Sequence, residues 1–456
     1  MGPKRILLPL LFLSALCHGQ LSPAITSYLQ NTTQTGTYYV QGNSTAISNG
    51  ILVNCQKIEY TNDYVYVHTR GIPAYPTGPF IGNPSVAADQ NAIFKMPLNP
   101  VQNTGTASAT TGGNIGIFIN GVALFDYRDG VSWNANTNAL CGGPGGTPCP
   151  GGMMATQPWN RDAVPAEKPG FDCSKAHPAN GNYHHHQNPS AFKLDLNVVS
   201  TICNLYDADG LYAIDSTVHS PLIGYAYDGF PIYGSYAFKN ADGTGGVVRM
   251  KSGYQLRNIT TRTTSPTGAS VTSGPAVSAT YPLGYFREDY EFITHTGQDD
   301  YLDEHNGRFC VTPEYPNGIY CYFATVDENW NSAYPYVIGP TFYGVTADRK
   351  VTSVTESTTT YTPAATALVN VNGDDMKVNV FPNPASDFIA VQYIGLNKDN
   401  LNIELFDVSG RLVQKTVLNA GATNTYLDTK TLYAGTYLVK IIGSNSTTTK
   451  KVVVNK

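Results

Sequence analysis

Charged residues and long apolar segments are both scarce in this sequence. No segment after residue 20 offers the roughly 20 consecutive apolar residues that a membrane helix needs, so no transmembrane segment is expected. Charged residues make up 13% of the chain and give a formal net charge of −5. Because the chain has no basic excess, nucleic acid is not an expected partner.

The common signatures of catalysis are also missing. The sequence has no Gly-x-Ser-x-Gly elbow, no His-Glu-x-x-His helix and no phosphate-cradling glycine loop. These absences argue against the familiar hydrolases, zinc proteases and nucleotide-binding enzymes. A Ser/His/Asp set can still assemble from distant segments, so the sequence does not decide whether the protein is an enzyme.

Glycine and tyrosine are abundant, with 44 Gly and 31 Tyr. This balance suits short strands and tight turns better than long helices. Alternation at 64–67 and 115–119 predicts strands, and Asn120-Gly121 after the second predicts a hairpin. We therefore predict an all-β protein, with a large irregular β domain over residues 20–345 and a small antiparallel β-sandwich after it.

Residues 1–19 predict a secretory signal peptide. Lys4 and Arg5 precede an apolar run at 6–13, and small or polar residues follow it. Cys17 could indicate a lipoprotein, but lipoprotein processing requires a small residue before the cysteine. Because Leu16 is bulky, cleavage after Gly19 is favoured. Removal of the signal takes the formal net charge to −7, because both of its cations are lost.

Of the 8 cysteines, seven remain once the signal with Cys17 is removed, and an oxidising compartment allows disulfides. Cys310 and Cys321 flank a Pro-Asn-Gly turn at 316–318, which predicts a hairpin with a bridge across its strand ends. Connectivity cannot be proved from sequence. The other expected pairs are Cys141 with Cys149 and Cys173 with Cys203. Cys55 is expected to remain a free thiol.

The composition changes near residue 346, and Thr, Ser, Ala and Asn are frequent up to residue 375. Few apolar residues occur there at strand period, which predicts a linker over 346–375. Turn signals then separate short apolar segments, a pattern typical of an antiparallel sandwich. The predicted strands are 377–381, 388–393, 401–407, 411–417, 425–427, 435–442 and 450–454.

Four ordered motifs mark this tail: Val-Phe-Pro-Asn-Pro at 380–384, Leu-Phe-Asp-Val-Ser-Gly-Arg at 405–411, Leu-Tyr-Ala-Gly-Thr-Tyr at 432–437 and Lys-Lys-Val at 450–452. With them, residues 376–456 resemble the sorting domain of type IX secretion substrates. The resemblance implies an export address that contacts the type IX machinery, and a protein that is secreted or attached to the outer surface. An adhesive β-sandwich is the alternative.

The densest chemical feature is Tyr183-His184-His185-His186. Successive side chains of a strand point to opposite faces, so His184 and His186 share one face. Two imidazoles at this spacing can chelate one metal ion, and copper or zinc suits imidazole ligands. Histidines held by hydrogen bonds without a metal are the alternative. The candidates for completing the metal shell are His177, His219 and His305.

A second polar segment lies at residues 299–305, directly before the predicted cysteine hairpin. Its carboxylates could bind calcium, which prefers six to eight oxygens, but their spacing does not match an EF-hand loop. A solvated acidic loop is the simpler interpretation. The carboxylates are Asp299, Asp300, Asp303 and Glu304.

Several stretches between residues 115 and 340 resemble the YHYH family, which is found in secreted or surface proteins of many bacteria. One position departs from the family's motif, because His185 stands where the family has its second tyrosine. The two motif histidines remain as His184 and His186. The resemblance identifies the domain without assigning it an activity. The matching stretches are 159–163, 183–186, 219–233, 302–308 and 311–318.

Two functions fit the sequence. The first is a secreted metal-binding protein with copper or zinc on His184 and His186. The second is a surface module that binds a glycan or another protein through an aromatic face. The exposure of the aromatic side chains discriminates between the two functions. Buried aromatics with converging histidines favour the metal-binding protein, and exposed aromatics with scattered histidines favour the surface module. The aromatic residues concerned are Tyr225, Tyr227, Phe230 and Tyr233.

Overall fold

The computed structural model of the protein describes residues 21–82, 85–143, 146–150, 157–189, 203, 211–212, 214–347, 349–363, 378–393, 399–408, 410–444 and 447–455. The predicted signal peptide therefore lies outside the described residues. Nearly all regular structure in these ranges is β, which confirms the predicted fold class. The chain divides into two compact units, Met1–Thr362 and Pro363–Lys456. In the described ranges, every helix is too short or too polar to cross a membrane.

The helical elements of the first unit are short and lie between strands. They are α1 (Pro23–Thr26), α2 (Ala163–Glu167) and the 3-10 turns Lys168–Gly170 and Arg287–Asp289. The strands of the first unit are β1 (Thr35–Tyr38), β2 (Ile47–Leu52), β3 (Cys55–Tyr60), β4 (Tyr64–Thr69), β5 (Ala92–Pro97), β6 (Asn114–Phe118), β7 (Ala123–Phe125), β8 (Arg128–Asn134), β9 (Ala139–Gly142), β10 (Asn160–Asp162), β11 (Ala176–Ala179), β12 (Asn182–His185), β13 (Leu222–Ala226), β14 (Pro231–Tyr233), β15 (Tyr236–Phe238), β16 (Val247–Arg249), β17 (Tyr254–Leu256), β18 (Tyr290–Phe292), β19 (Gly307–Cys310), β20 (Ile319–Phe323), β21 (Lys350–Val351) and β22 (Thr359–Tyr361).

An eight-stranded mixed sheet forms the centre of the first unit, in the order β11-β12-β7-β6-β13-β14-β20-β19. The β6–β7 hairpin turns at Asn120-Gly121 as predicted, and Gly121 has a φ of +78°, which favours glycine. Every residue of β13 and β14 is buried. The aromatic face proposed around these two strands is therefore wrong, because its residues pack in the core between neighbouring strands and cannot meet a glycan.

The predicted hairpin at residues 316–318 joins β19 to β20. The bridge predicted across it is wrong, because Cys310 and Cys321 are both buried free thiols. In the strand register Cys310 lies opposite Ile319 and Cys321 opposite Arg308, so the two cysteines are diagonal neighbours. A disulfide needs the two β-carbons to face each other closely.

Two disulfides are present as predicted, Cys141–Cys149 and Cys173–Cys203. The first closes the glycine-rich loop after β9. The second fixes the start of the loop that leads into β11, four residues before His177. Cys55 is a buried free thiol, also as predicted.

A five-stranded sheet in the order β21-β5-β4-β3-β22 forms the second main layer of the first unit. Its two edge strands come from the segment predicted as a linker: β21 pairs with β5, and β22 pairs with β3. Residues 350–361 are thus part of the first unit. Threonine is favourable in strands, so a threonine-rich segment can pair with an open sheet edge.

The second unit is a β-sandwich of two antiparallel sheets, ordered β23-β24-β27 and β26-β25-β28-β29. Alternate side chains such as Ile403, Leu405 and Val439 meet in its core. All seven strands predicted for this tail are present, with small shifts at their ends. They are β23 (Val378–Phe381), β24 (Phe388–Tyr393), β25 (Leu401–Asp407), β26 (Leu412–Leu418), β27 (Asn424–Asp428), β28 (Gly435–Ile442) and β29 (Thr447–Val454).

Candidate metal centre

Three histidines meet at the edge of the eight-stranded sheet. His177 on β11 lies directly opposite His184 on β12 in the antiparallel register. His186 follows the last residue of β12, two positions beyond His184, and so points to the same side. All three side chains are buried, and one ring nitrogen from each lies within 4.8 Å of the others. The sequence predicts a shared face for His184 and His186, and His177 is one of the three residues named as candidates for completing the shell.

The closest contacts in this cluster involve the Nε2 atoms. Nε2 of His184 lies 3.0 Å from Nε2 of His186. One carboxylate oxygen, Oε2 of Glu167, lies 3.1 Å from Nε2 of His177 and 3.1 Å from Nε2 of His186. That oxygen is buried, and it accepts no well-oriented hydrogen bond from any described residue. The carboxylate oxygen therefore contacts two of the three imidazoles, and the third, His184, contacts His186.

Glu167 is the one member of the cluster that the sequence analysis missed. It is the last residue of α2, a five-residue helix whose first turn is capped by Asp162, which accepts a hydrogen bond from the Val164 backbone N–H (3.0 Å). The cap fixes where the helix begins and therefore where its final side chain projects. Glu167 and His177 are ten positions apart in the sequence, so no local spacing connects the two.

Backbone carbonyls orient two of the rings. Nδ1–H of His184 donates to the carbonyl oxygen of Asn182 (2.8 Å), and Nδ1–H of His186 donates to that of Asp126 (2.6 Å). In a neutral imidazole this leaves the lone pair on Nε2, which faces the cluster. Metal-bound histidines are held in the same way, with the second ring nitrogen donating to a carbonyl or carboxylate.

Aromatic side chains enclose the histidines. The ring of Phe125 stacks on His184 at a centroid distance of 3.7 Å. Phe171 contacts both His177 and His186, with centroids 5.1 and 6.4 Å away. These contacts hold the rings in place and keep water away from their faces. Only the Glu167 side chain, 24% exposed, approaches the solvent.

The pKa values of the cluster diverge because its members share a small buried volume. Burial and the neighbouring His186 and His177 push the pKa of His184 well below its usual range. Burial also opposes charge on His186, but contact with Glu167 outweighs it and raises the pKa of this imidazole. Burial alone would raise the pKa of the Glu167 carboxyl, yet His177 and His186 lower it overall. The site thus favours one negative oxygen beside imidazole nitrogens.

These four donors fit a transition-metal ion. A tetrahedral zinc ion with ligand bonds of roughly 2.0–2.1 Å has donor–donor separations of roughly 3.3 Å. Three donor pairs, at 3.0, 3.1 and 3.1 Å, are close to that value, and the three histidine nitrogens all lie within 4.8 Å of one another. Three imidazoles and one carboxylate suit zinc or copper, whereas calcium and magnesium require more oxygens. The buried histidine triad could therefore hold a metal ion.

The opposite face of β12 has a different role. The Tyr183 hydroxyl donates to Oδ2 of Asp172 (2.7 Å). Nε2 of His185 lies 3.1 Å from the Tyr75 hydroxyl, and its ring packs edge-on against Phe118. The side chain at the position that departs from the family motif is thus turned away from the histidine cluster, so a histidine in place of tyrosine there leaves the three clustered rings undisturbed.

The two remaining candidate ligands lie outside this cluster. Nδ1–H of His219 donates to the carbonyl oxygen of Ser220 (2.7 Å), and its ring packs against Tyr233 and Phe238. The His305 ring lies beside Thr341, with Nδ1 2.8 Å from the threonine hydroxyl. Neither belongs to the histidine group formed around β12.

The acidic segment at 299–305 forms no cation site within the part of the chain that the structure describes. Asp300 pairs with Lys251 at 2.7 Å. Asp303 accepts a hydrogen bond from the Tyr320 hydroxyl (2.8 Å). These carboxylates hold loops in place, and the calcium alternative loses its support.

Comparison with known families agrees with both resemblances. The family model described as YHYH protein matches residues 93–335, a range that contains the histidine triad and Glu167. The model described as a secretion system C-terminal sorting domain matches residues 379–455. Such a domain directs export through the type IX secretion machinery. No curated protein matches the chain.

Proposed function

The chain belongs to the YHYH protein family, and we propose that it is an exported protein whose YHYH domain binds one copper or zinc ion. The proposed ligands are His177, His184, His186 and Glu167. The predicted signal peptide and the sorting domain would deliver the domain to the outer surface or to the medium.

The observation that carries this proposal is the convergence of three buried imidazoles, two of which contact one carboxylate oxygen. Hydrogen-bonded histidines without a metal would pair Nε2 with separate protein acceptors. Here Nε2 of His184 lies 3.0 Å from Nε2 of His186. Nε2 of His177 and Nε2 of His186 both contact Oε2 of Glu167. A cation between the donors satisfies all four at once.

The proposed shell is closed. With three imidazoles and Glu167, zinc would have the four ligands of a structural site, and no position would be left for water. This favours metal sequestration or stabilisation of the loop around α2 over hydrolysis. The burial of all three rings and the aromatic contacts from Phe125 and Phe171 agree with a site that excludes solvent.

Metal analysis of the exported chain, purified without an affinity tag, tests the proposal. We expect about one equivalent of copper or zinc per chain after dialysis, and less than about a tenth of that in the His184→Ala/His186→Ala double variant. Equal metal content in the two proteins would overturn the proposal.

The chain offers a matched control. His219 and His305 lie outside the cluster, so His219→Ala/His305→Ala removes the same number of imidazoles without touching the site. This variant should keep its full equivalent of metal. If both double variants lose metal equally, binding is non-specific and the proposed site is wrong.

A further inference from the structure

A second concave feature of the first unit lies away from the metal cluster. It is a cleft of about 460 Å³ between β16, β17, β18 and the loops at 295–301 and 326–336. None of the four proposed metal ligands lines it. Its volume is within the range of about 300–1,000 Å³ that is typical of small-molecule sites.

Stacked aromatic side chains form the walls of this cleft. Tyr290 and Tyr334 stack face to face, with centroids 4.0 Å apart and planes 6° apart. His295 and Tyr301 form a second stack, with centroids 3.7 Å apart. Tyr254 packs edge-on against Tyr334 at 5.4 Å. Because the rings support one another, they are held rigidly and need little ordering when a ligand binds.

The charges in the cleft balance. Arg249 and Lys251 contribute two cations, and Asp327 and Glu328 contribute two carboxylates. Lys251 is ion-paired with Asp300 (2.7 Å), and Arg249 donates one N–H to the carbonyl oxygen of Val326 (2.7 Å). Because two carboxylates offset the two cations, the lining as a whole does not attract an anionic ligand, so the cleft favours a neutral ligand.

Uncharged polar groups lie between the rings. The Gln255 side chain is exposed at the rim, where its amide nitrogen donates to Oε1 of Glu291 (3.2 Å) and its amide oxygen can accept from a ligand. The Ser332 hydroxyl makes no hydrogen bond to any described residue. Groups of this kind can bind hydroxyl groups of a ligand whose flat apolar surface rests on tyrosine.

We propose that this cleft binds a neutral saccharide. A pyranose ring presents carbon-bound hydrogens on its faces and hydroxyls around its edge, which matches tyrosine walls with amide and hydroxyl groups beside them. The balance of cations and carboxylates in the lining favours this ligand class over nucleotides and acidic sugars. The inference concerns a different site and does not depend on metal binding.

Calorimetric titration of the full exported chain tests this inference. The probes are three neutral oligosaccharides, cellohexaose, maltohexaose and chitohexaose, and one acidic oligosaccharide, hexagalacturonate. We expect at least one neutral probe to bind with a Kd below about 1 mM and the acidic probe to bind at least about tenfold more weakly. No heat from any neutral probe at about 10 mM, or equal affinity for the acidic probe, would overturn the inference.

Variants locate the site. Tyr301→Ala removes one wall and should weaken binding about tenfold. Gln255→Ala changes only an exposed rim residue, so it should fold normally and weaken binding at least about threefold. Tyr433→Ala is the matched control, because Tyr433 is 88% exposed and lies in the second unit. Undiminished binding in Gln255→Ala and in folded Tyr301→Ala, or equal loss in Tyr433→Ala, would place the saccharide elsewhere and contradict the inference.

Discussion

Nε2 of His184 and Nε2 of His186 lie 3.0 Å apart, although both rings donate Nδ1–H to backbone carbonyls. Two lone pairs that face each other at this distance repel, unless a proton or a metal ion lies between them. The backbone carbonyls of Asn182 and Asp126 fix the ring orientations and so maintain this arrangement. The same preorganisation would lower the cost of binding a metal ion, because the rings need not reorient.

Glu167 should be needed for tight metal binding. The Glu167→Gln variant keeps the shape of the side chain but loses its negative charge, so we expect the metal Kd to rise at least about tenfold. Competition with a chromophoric chelator measures this change. Glu304→Gln is the control, since the Glu304 side chain is 60% exposed and lies 3.9 Å from His305. Equal affinity in the two variants would remove Glu167 from the ligand set.

Tyr183 should matter for stability and not for metal binding. Tyr183→Phe removes the hydroxyl that donates to the buried Asp172 carboxyl, so we expect the free energy of unfolding of the first unit to fall by about 1–3 kcal/mol. Metal affinity should stay within about threefold, because this ring lies on the other face of β12. Denaturant unfolding and chelator competition provide the two values. A large loss of metal affinity with unchanged stability would contradict the proposed orientation of the strand.

Asp228 should make the first unit more stable in mild acid. Burial raises the pKa of its carboxyl from 3.8 to about 6, although the Tyr322 hydroxyl donates to it and lowers the pKa in part. The folded state therefore holds this proton more tightly than the unfolded state does. Ionising the buried Asp228 carboxyl therefore lowers the free energy of unfolding. This loss is absent below about pH 4, grows between pH 4 and 6, and reaches roughly 3 kcal/mol above pH 6.

The Asp228→Asn variant tests this assignment, because asparagine cannot ionise. Between pH 4 and 6 the wild-type free energy of unfolding should fall more steeply than that of the variant, as measured by urea unfolding at each pH. Parallel pH profiles would show that Asp228 does not titrate in this range.

The cysteines should be found in two oxidation states. Alkylation of the unfolded chain before reduction, followed by peptide mass analysis, should label Cys55, Cys310 and Cys321 and leave Cys141–Cys149 and Cys173–Cys203 as disulfides. A bridge between Cys310 and Cys321 in the purified protein would contradict the register of the β19–β20 hairpin.

Much of the fold could be predicted from sequence where a local rule dominates. Strand alternation places His184 and His186 on one face, and the Asn120-Gly121 pair gives the β6–β7 hairpin. In the tail, regular turns separate alternating apolar residues, so all seven strands could be predicted. Each of these features depends on a few neighbouring residues.

The missed features depend on tertiary structure. Glu167 reaches the site only because α2 ends beside the edge of the eight-stranded sheet. Tyr225 and Tyr233 are buried because β13 and β14 lie in the middle of that sheet, a position that their sequence does not specify. The missing bridge follows from a register in which Cys310 faces Ile319. Pairing partners and sheet order are set by the whole chain.

The most direct test of the metal centre is a crystal structure of the metal-loaded protein, with anomalous scattering recorded at the copper and zinc edges. We expect one strong peak, roughly 2.0–2.2 Å from Nε2 of His177, His184 and His186 and from Oε2 of Glu167. A metal peak at another position, or three histidine rings with no peak between them at full metal loading, would contradict the proposed metal centre.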